Sequence, residues 1–472
     1  MLLKRFFDEK LAQTSYLVAC QHAGVALVVD PNRNTAQYVE AAKAENLRIT
    51  HVTETHIHAD FVSGARELAR TTGAQLYLSD SGGAEWKYAY AAAESAELLS
   101  DGTRFLVGDV SIEAIHTPGH TPEHMTFLVT DSPSASAPMG AFTGDFIFVG
   151  DVGRPDLLER AVGAAGTMAS SARDLFRSLK AFSAYPDYLQ IWPGHGPGSA
   201  CGKALGAMPQ STLGYEKLFS WAWQVTGEEE FVEKVLAGQP EPPAYFSRMK
   251  QINRDGPGPG SSARPPSMSA AEMASRIQSG EAVVDVRPAS DFAASHSRGT
   301  INIPRNKSFL TWAGSLLPYD RDVYLMGIAS DEDGLAIARE LTLIGIDRIG
   351  GVLLAREMPG LKAAGIKTTS MRQVQVAELA DARGRAAVLD VRARSEFEHG
   401  HIPGAVHIPL AQLSARMREI PPGPVVVNCQ GGGRSAIAAS LLARAGREDV
   451  ANLAGGFTEW ARRGNPVERT TE

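Results

Sequence analysis

Thr-His-Ile-His-Ala-Asp, at residues 55–60, is the stretch that decides how the first half of the chain folds. It follows a strand-like run at residues 47–53, LRITHVT, and it places His56, His58 and Asp60 at alternating positions. Where a strand ends in a turn, alternating side chains can converge on one point above the sheet. Neutral imidazole and carboxylate form a ligand set for zinc or iron. The stretch therefore predicts a metal site, although histidines two positions apart also occur in ordinary strands.

Three further residues of the same chemical types lie at turns in this half of the chain. His120 lies in TPGHTPEH, Asp145 in FTGDFIF and His195 in IWPGHGPGS, and each segment adjoins an apolar run. Glycine, alone or with proline, marks each segment as a turn at the end of a strand. Because four such turns each present a potential ligand, a metal site is favoured over unrelated loop histidines.

The composition limits the classes of partner. A chain of 472 residues suggests about three domains, at roughly 150 residues for each domain. The net charge is −7 and there is no basic run, which argues against nucleic acid or an acidic membrane as the main partner. No window approaches ~18 consecutive apolar residues, so no membrane span is expected.

The cysteines and the N-terminal residues indicate the compartment. Cys20, Cys201 and Cys429 are an odd and sparse set, which is no disulfide framework and fits a reducing environment. The first residues, MLLKRFFDEKLAQ, lack an apolar core followed by a small-residue cleavage site. We therefore expect a cytoplasmic protein, and whether it is a homo-oligomer stays open.

The order of segments predicts the domain plan. Residues 84–98 are expected to be helical, and mostly helical material at residues 207–252 extends the first domain. The stretch NRDGPGPGSSARPPS, rich in glycine, proline and serine, reads as a linker. The predicted boundaries are a first domain at 1–252, a linker at 253–268, and two further domains at 269–370 and 371–472.

The second half is an internal repeat. VDVR at 284–287 matches LDVR at 389–392, and GTINIP at 299–304 matches GAVHIP at 404–409, both at an offset of 105 residues. Each copy alternates short apolar strands with helical stretches, which is a βα pattern with a parallel sheet. A repeat of this length indicates a duplicated α/β domain rather than a solenoid.

Cys429 ends an apolar strand in the second copy and opens a glycine-rich loop that leads into a helix. The backbone N–H groups of such a loop can surround one anion, and the helix N-terminus adds positive potential. Arg434 adds a full charge, so the loop should stabilise a thiolate or a persulfide at Cys429, although a free cysteine is most often an inert buried residue. The residues expected to cradle a persulfide are Gln430, Gly431, Gly432, Gly433 and Ser435.

The second copy resembles rhodanese, a sulfurtransferase domain, in its D-V-R motif, in HIPGAVHIP at 401–409 and in VVNCQGGGRS at 426–435. The first copy departs from this pattern. Ala329 stands at the cysteine position, and Asp331, Glu332 and Asp333 occupy the anion cradle. A thiolate cannot form there and an anionic sulfur donor would be repelled. We therefore expect residues 269–370 to be an inactive pseudo-rhodanese with a packing or docking role.

The first half, over about residues 15–206, resembles the metallo-β-lactamase superfamily, closest to its glyoxalase II and persulfide dioxygenase branch. The resemblance implies an α/β fold with two β-sheets sandwiched between helices and a metal at one sheet edge. In the persulfide dioxygenase branch the matching ligands are His56, His120 and Asp145, a facial triad that suits Fe(II). His58, Asp60 and His195 then become groups that orient ligands or substrate.

The residue that follows Asp60 decides how many metals to expect. A dinuclear glyoxalase-type site needs a histidine where this chain has Phe61, so we expect one metal, iron, with zinc as the alternative.

Cys201 lies six residues after His195 and could bind or relay a persulfide, or be a small buried residue in a glycine-rich turn.

The whole chain resembles bacterial persulfide dioxygenase–sulfurtransferase fusions. The resemblance implies that iron-dependent oxidation of a low-molecular-weight thiol persulfide by dioxygen yields sulfite, and that rhodanese chemistry then yields thiosulfate. One alternative is a zinc hydrolase of glyoxalase II type that acts on thioesters. Another is an inactive first half joined to a docking or sulfur-relay module. The thiol carrier and the order of the two steps stay open.

Overall fold

The structure is a computed structural model that describes residues 1–162, 166–203, 205–260, 263–381 and 384–470, without the side chains of residues 158, 161 and 162. The chain forms two compact units. The first comprises Met1–Gly260 with Thr342–Gly345, and the second comprises Ser261–Leu341 with Ile346–Glu472.

Two six-stranded sheets form the frame of the first unit. One sheet has the order β1-β2-β3-β4-β5-β6, antiparallel up to β3 and parallel from there, and the other has the order β12-β11-β10-β9-β8-β7 with β10 and β11 parallel. The strands are β1 Leu2–Asp8, β2 Gln13–Cys20, β3 Val25–Val29, β4 Arg48–Thr53, β5 Gln75–Ser79, β6 Glu97–Leu99, β7 Arg104–Val107, β8 Val110–His116, β9 Met125–Asp131, β10 Gly140–Gly144, β11 Gln190–Pro193 and β12 Ser211–Thr212.

The sheets pack face to face, and helices cover their outer faces. Along β2, Tyr16 and Val18 join a core shared with Phe127 and Trp192 of the other sheet. Leu17 and Ala19, which point to the other face of the strand, pack toward the helices. This alternation is the two-residue period of a strand that is buried on both faces. The predicted sandwich is confirmed. The helices are α1 Ala36–Ala44, α2 Ala65–Thr72, α3 Leu157–Val162, α4 Met168–Phe182, α5 Leu213–Phe219, α6 Trp221–Gln224, α7 Glu228–Leu236 and α8 Phe246–Asp255.

Two segments of the first unit differ from the sequence-based expectation. The helix expected over residues 84–98 is wrong, because only a short 3-10 turn at Ala84–Trp86 and strand β6 form there. Tyr88 and Tyr90, two residues apart, are both buried in the same core, which a helix would not allow. The segment expected to begin the linker at residue 253 is instead the end of helix α8, which runs to Asp255. Asn253 on this helix donates to the carbonyl oxygens of His58 and Phe61.

The second unit contains the two copies of the repeat, each built on a parallel sheet. The first copy has the strand order β15-β13-β16-β17 and the second has the order β19-β23-β22-β20-β21, which confirms the predicted α/β class. A small antiparallel pair, β14 with β18, accompanies them. The strands are β13 Ala282–Asp285, β14 His296–Ser297, β15 Ile301–Asn302, β16 Val323–Ile328, β17 Ile349–Leu354, β18 Thr368–Thr369, β19 Arg372–Val374, β20 Ala387–Asp390, β21 Val406–His407, β22 Val425–Asn428 and β23 Val450–Leu453.

Helices pack on both sheets of this unit. The first of them begins at a capping box, in which Ser269 Oγ accepts from the Glu272 N–H and the Glu272 carboxylate accepts from the Ser269 N–H. The helices are α9 Ala270–Gln278, α10 Ala289–Ala294, α11 Phe309–Leu316, α12 Asp331–Leu343, α13 Gly360–Ala363, α14 Val376–Asp381, α15 Arg394–His399, α16 Leu413–Arg416, α17 Gly433–Arg444 and α18 Gly456–Arg462. Among the described residues, no helix is long and apolar enough to cross a membrane.

Candidate metal centre and cysteine loop

The loops after strands β4, β8, β10 and β11 meet at one edge of the sandwich. Backbone hydrogen bonds join them: the Met125 N–H donates to Thr55 O at 2.7 Å, and the Gly194 N–H donates to Gly144 O at 2.8 Å. The loop at residues 55–60, called the metal loop below, is thereby held against the turns that carry His120, Asp145 and His195. The convergence expected from the sequence is present.

His56, His120 and Asp145 form one cluster whose ligand atoms all lie within 4.8 Å of one another. Oδ2 of Asp145 is 3.4 Å from Nε2 of His120 and 3.9 Å from Nε2 of His56. All three side chains are buried. Two imidazoles and one carboxylate on a common point are the donor set of a mononuclear iron or zinc site.

The hydrogen bonds of the two imidazoles engage Nδ1 of each ring and leave Nε2 free to bind a metal. Nδ1 of His120 donates to Arg154 O at 3.0 Å. Nδ1 of His56 donates to the Thr55 hydroxyl at 3.0 Å, because that hydroxyl in turn donates to Asp30. Burial lowers the pKa of both histidines, that of His56 well below its usual value. Both rings are therefore neutral and direct the Nε2 lone pair toward Asp145.

The Asp145 carboxylate has the surroundings of a metal ligand. Both of its oxygens are buried and accept no hydrogen bond from any described residue. A buried carboxylate without donors is costly unless a cation compensates it. The backbone is also packed closely there, since a Cβ on Gly153 would lie 1.7 Å from Asp145 O. These residues fit a divalent metal.

His58 stands outside this cluster. Its Nε2 donates to Oδ1 of Asp30 at 3.1 Å. Burial by itself would lower the pKa of His58, but the nearby carboxylates, Asp30 first among them, raise it to about 9. Its Nδ1 has no hydrogen-bond partner among the described residues, and the cluster of His56, His120 and Asp145 does not include it. The Phe61 ring lies 4.4 Å from the His58 ring, centroid to centroid.

Asp60, His195 and Cys201 form a second buried cluster, with ligand atoms again within 4.8 Å of one another. Nε2 of His195 is 3.4 Å from Oδ2 of Asp60 and 3.4 Å from Oδ1 of Asp145, while its Nδ1 donates to Ala12 O. Asp145 therefore lies between the two clusters. Burial raises the pKa of the Cys201 thiol well above its usual value, and the Asp145 and Asp60 carboxylates raise it further.

Two carboxylates that hold the metal loop were not singled out from the sequence. Asp30 accepts from the Thr55 N–H at 2.6 Å and from the Thr55 hydroxyl at 2.9 Å, in addition to His58. Glu123 accepts from the Ile57 N–H at 2.8 Å. Asp30 directly follows the apolar strand β3. The only sequence signal for it is therefore an acidic residue at a strand end.

The loop at residues 429–435, called the cysteine loop below, joins β22 to α17. Sγ of Cys429 accepts from the Gly432 N–H at 3.1 Å and from the Ser435 hydroxyl at 3.3 Å. Gly432 has φ of +99°, which favours glycine and turns its N–H inward. Donors aimed at one sulfur and a helix N-terminus behind it stabilise a sulfur anion.

A second helix N-terminus supports the cysteine loop from behind. The Phe457 N–H donates to Cys429 O at 2.7 Å, and the Thr458 N–H donates to Gln430 O at 3.0 Å. A Cβ on Gly456 would lie 2.3 Å from Cys429 O, so only glycine allows this approach. These contacts hold the loop in its curled shape before any sulfur is bound.

Arg434 is paired rather than free. Its two terminal nitrogens are 2.6 Å and 2.7 Å from the carboxylate oxygens of Glu396. The positive charge that the sequence assigned to the cysteine loop is therefore partly offset by Glu396. The loop amides and the helix N-terminus remain as uncompensated positive potential next to Cys429.

The corresponding loop of the first copy holds its own carboxylate. Oδ2 of Asp333 accepts from the Ala329 N–H at 3.3 Å, and the Asp333 carboxylate pairs with Arg305. Asp331 accepts from the Ser267 hydroxyl at 2.6 Å. The acidic residues thus place negative charge at the N-terminus of α12 and offset the positive potential that a bound anion would need.

Family profiles match both halves of the chain. Residues 9–195 match the metallo-beta-lactamase superfamily, and residues 374–463 match the rhodanese-like domain. A metallo-beta-lactamase of solved structure from Staphylococcus aureus is 39% identical, with a TM-score of 0.67, and the match covers 75% of this chain and 99% of that one.

Two curated relatives match the first half. The mitochondrial persulfide dioxygenase ETHE1 of Homo sapiens is 29% identical over 198 residues, which are 41% of this chain and 68% of the relative. A hydroxyacylglutathione hydrolase of Rhodospirillum rubrum is 31% identical over 168 residues, which are 35% of this chain and 57% of the relative. An oxygenase and a hydrolase are thus both among the similar proteins.

The contacts of Asp30 generate one prediction. Asp30→Ala removes three hydrogen bonds to the metal loop and leaves a buried His58 without its partner. Breaking such a buried pair is expected to lower the free energy of unfolding by about 3–5 kcal/mol. Thermal denaturation and amide hydrogen exchange at residues 55–60 measure it. Asp109→Ala, at an exposed aspartate of the same unit, is the control, and an equal loss in both variants would contradict the role of Asp30.

The acidic residues in the loop of the first copy, at the position of the cysteine loop, generate another prediction. Ala329→Cys in a Cys429→Ser background should not create sulfurtransferase activity, because Asp333 and its neighbours still oppose an anion. Transfer from thiosulfate to cyanide is the measurement, and the unmodified chain is the positive control. The account of the first copy fails if this single change yields a rate similar to that of Cys429.

Proposed function

Because this chain belongs to the metallo-beta-lactamase superfamily and carries a rhodanese-like domain, we propose that it is an iron-dependent persulfide dioxygenase coupled to sulfur transfer. The observation that carries the proposal is the buried cluster of His56, His120 and Asp145, with two neutral imidazoles and a carboxylate that lacks donors. Similarity to a human persulfide dioxygenase supports the same assignment.

The three residues of that cluster would hold Fe(II). When bound, iron would supply the redox chemistry between a substrate sulfur and dioxygen. The net oxidation converts a thiol persulfide R–S–SH, dioxygen and water into the thiol R–SH, sulfite and protons. Arg154 O and the Thr55 hydroxyl keep the two imidazoles in the ligating tautomer, and Asp30 keeps His58 out of the ligand set.

The second step takes place at Cys429. Its thiolate attacks the terminal sulfur of R–S–SH, which breaks the S–S bond, releases R–S⁻ and leaves Cys429 as a persulfide. Sulfite then attacks the outer sulfur of that persulfide, forms thiosulfate and restores the thiolate. The Gly432 N–H and the Ser435 hydroxyl stabilise the sulfur anion at the start and at the end of this cycle.

His195, Asp60 and Cys201 have a proposed role beside the iron. His195 and Asp60 face the cluster and orient it, because they approach Asp145 or each other at 3.4 Å. Cys201 lies in the same space and is the proposed thiol for holding a persulfide near the iron. With a raised pKa it is a thiol in the resting protein, so it would take sulfur by exchange more slowly than Cys429.

A zinc-dependent thioester hydrolase is the second candidate. One observation favours it: Asp60, His195 and Cys201 offer an additional set of ligand atoms next to Asp145, and hydrolysis by two metals uses adjacent sites. The similarity to a hydroxyacylglutathione hydrolase agrees with it. Metal content and oxygen uptake separate the two candidates.

The metal assignment is tested by composition. Protein prepared without oxygen should contain close to one iron per chain by elemental analysis, and it should consume oxygen when given a thiol persulfide. His56→Ala should lose the iron and the oxygen uptake, whereas Cys429 should still accept sulfur from thiosulfate because it lies in the other unit. Two tightly bound zinc ions in the native protein would sink the dioxygenase assignment.

The coupling of the two steps is tested by product analysis. Cys429→Ser should retain oxygen uptake, because Cys429 supplies no ligand to the metal cluster, but serine cannot carry a persulfide. The product should change from mostly thiosulfate to mostly sulfite after a fixed oxygen turnover. If Cys429→Ser still yields thiosulfate at the original ratio, Cys429 is not the carrier and Cys201 becomes the thiol to mutate.

Arg434→Ala is the graded variant in the same assay. It leaves the Glu396 carboxylate unpaired near the thiolate while the loop amides remain. A loss of ~1.4 kcal/mol in the stabilisation of the sulfur anion corresponds to a factor of about ten, so transfer should slow roughly ten-fold. The sulfite fraction should therefore fall between those of the unmodified chain and Cys429→Ser.

A further inference from the structure

A cavity of about 510 Å³ lies beside the cysteine loop, and both copies of the repeat contribute to its wall. This volume lies within the range of roughly 300–1,000 Å³ that is typical of small-molecule sites. We name it the carrier cavity. The residues that carry the argument are Ser290 and Ala293 on helix α10 of the first copy, and Gln373, Gly431, Gly432 and Asn452 of the second copy.

The carrier cavity adjoins the cysteine loop at Gly431 and Gly432, whereas Cys429 itself is buried and does not line it. The N–H of Gly432 donates to Sγ of Cys429 at 3.1 Å, and the same residue lines the cavity. Gly431 is exposed to solvent, and a Cβ on it would meet nothing within 4 Å. A group that approaches Cys429 along this side of the loop therefore has room.

The proposed function requires such room. When R–S–SH gives its terminal sulfur to Cys429, the group R leaves as R–S⁻ next to the cysteine loop. Thiosulfate, as an alternative donor of the same sulfur, releases sulfite and has no organic group to place. A cavity beside the loop should therefore affect transfer from the organic persulfide but not transfer from thiosulfate.

The lining indicates the chemistry of the group R. None of the described residues that line the cavity carries a charge. Its polar part consists of Ser290 and a pair of carboxamides, in which Nδ2 of Asn452 donates to Oε1 of Gln373 at 2.9 Å. Small side chains such as Ala293 also line the cavity. Such a wall suits an uncharged chain with amide groups and offers no cation for phosphates.

We propose that the carrier cavity receives the organic group of the thiol persulfide during transfer to Cys429, and that it selects an uncharged, amide-bearing group. The inference rests on the proposed function, since it assigns the sulfur donor at the same cysteine. It gives the inactive first copy a role, because helix α10 supplies one wall of a site whose reactive cysteine belongs to the second copy.

The experiment compares donors with and without the organic group. Persulfide formation at Cys429 is measured in the full chain without oxygen, with pantetheine persulfide, coenzyme A persulfide or thiosulfate. The first two share one amide-bearing arm, and only coenzyme A adds phosphates. The unmodified chain should prefer pantetheine persulfide, and equal kcat/KM for these two donors would overturn the selection by charge.

Ala293→Phe fills the cavity. Overpacking of this size should lower kcat/KM for pantetheine persulfide about ten-fold, while the rate with thiosulfate stays unchanged. Ala363→Phe, the same substitution at an exposed position on the first copy outside the cavity, should change neither rate. Equal slowing of both donors, or no slowing of either, would overturn the proposal.

Gln373→Glu is a second variant that does not depend on packing. Gln373 is exposed, and the change adds one negative charge to the wall at nearly constant volume. It should slow coenzyme A persulfide more than pantetheine persulfide and leave thiosulfate unchanged. If the unmodified chain accepts sulfur from thiosulfate but from neither organic persulfide, the coupling in the proposed function fails. A failure confined to the variants removes only the carrier cavity.

Discussion

The contact between Asp30 and the metal loop is the constraint on which the candidate metal centre depends. One carboxylate accepts the Thr55 N–H, the Thr55 hydroxyl and Nε2 of His58. Because the Thr55 hydroxyl donates to Asp30, its oxygen is left to accept from Nδ1 of His56, which fixes the tautomer of that ligand. The same carboxylate raises the pKa of His58. One residue at the end of β3 thus fixes the positions of two histidines that lie two residues apart.

Asp145 has a comparable role between the two clusters. Its Oδ2 faces His120 and its Oδ1 faces His195, and neither oxygen has a hydrogen-bond donor among the described residues. Phe61 takes the position at which a dinuclear site would have a histidine, yet Cys201 brings a sulfur into the same space as Asp60 and His195. Two sets of buried ligand atoms therefore lie side by side, with Asp145 between them.

The two copies in the second unit differ in the few residues at one loop. In both, a strand leads through a short loop into a helix whose N-terminus can stabilise an anion. In the second copy that anion is the sulfur of Cys429, held by Gly432 and Ser435. In the first copy, the Asp333 carboxylate accepts from the Ala329 N–H and pairs with Arg305. The side chain of Asp333 thus supplies negative charge at the loop where the second copy has the sulfur of Cys429.

The sequence by itself determined the features that arise from neighbouring residues. These are the turns that carry His56, His120 and Asp145, the duplicated parallel domain and the loop after Cys429, because strand periodicity and glycine turns are local. The sheet sandwich was implied by the resemblance to the metallo-β-lactamase superfamily. Only the tertiary structure decided which groups are paired. His58 meets Asp30 across 28 residues of sequence, and Arg434 meets Glu396 across 38. Tyr88 and Tyr90 are buried in one core, in a segment where a helix was expected and no α-helix forms. Such pairings depend on distances between segments that are remote in the chain, and no local pattern contains them.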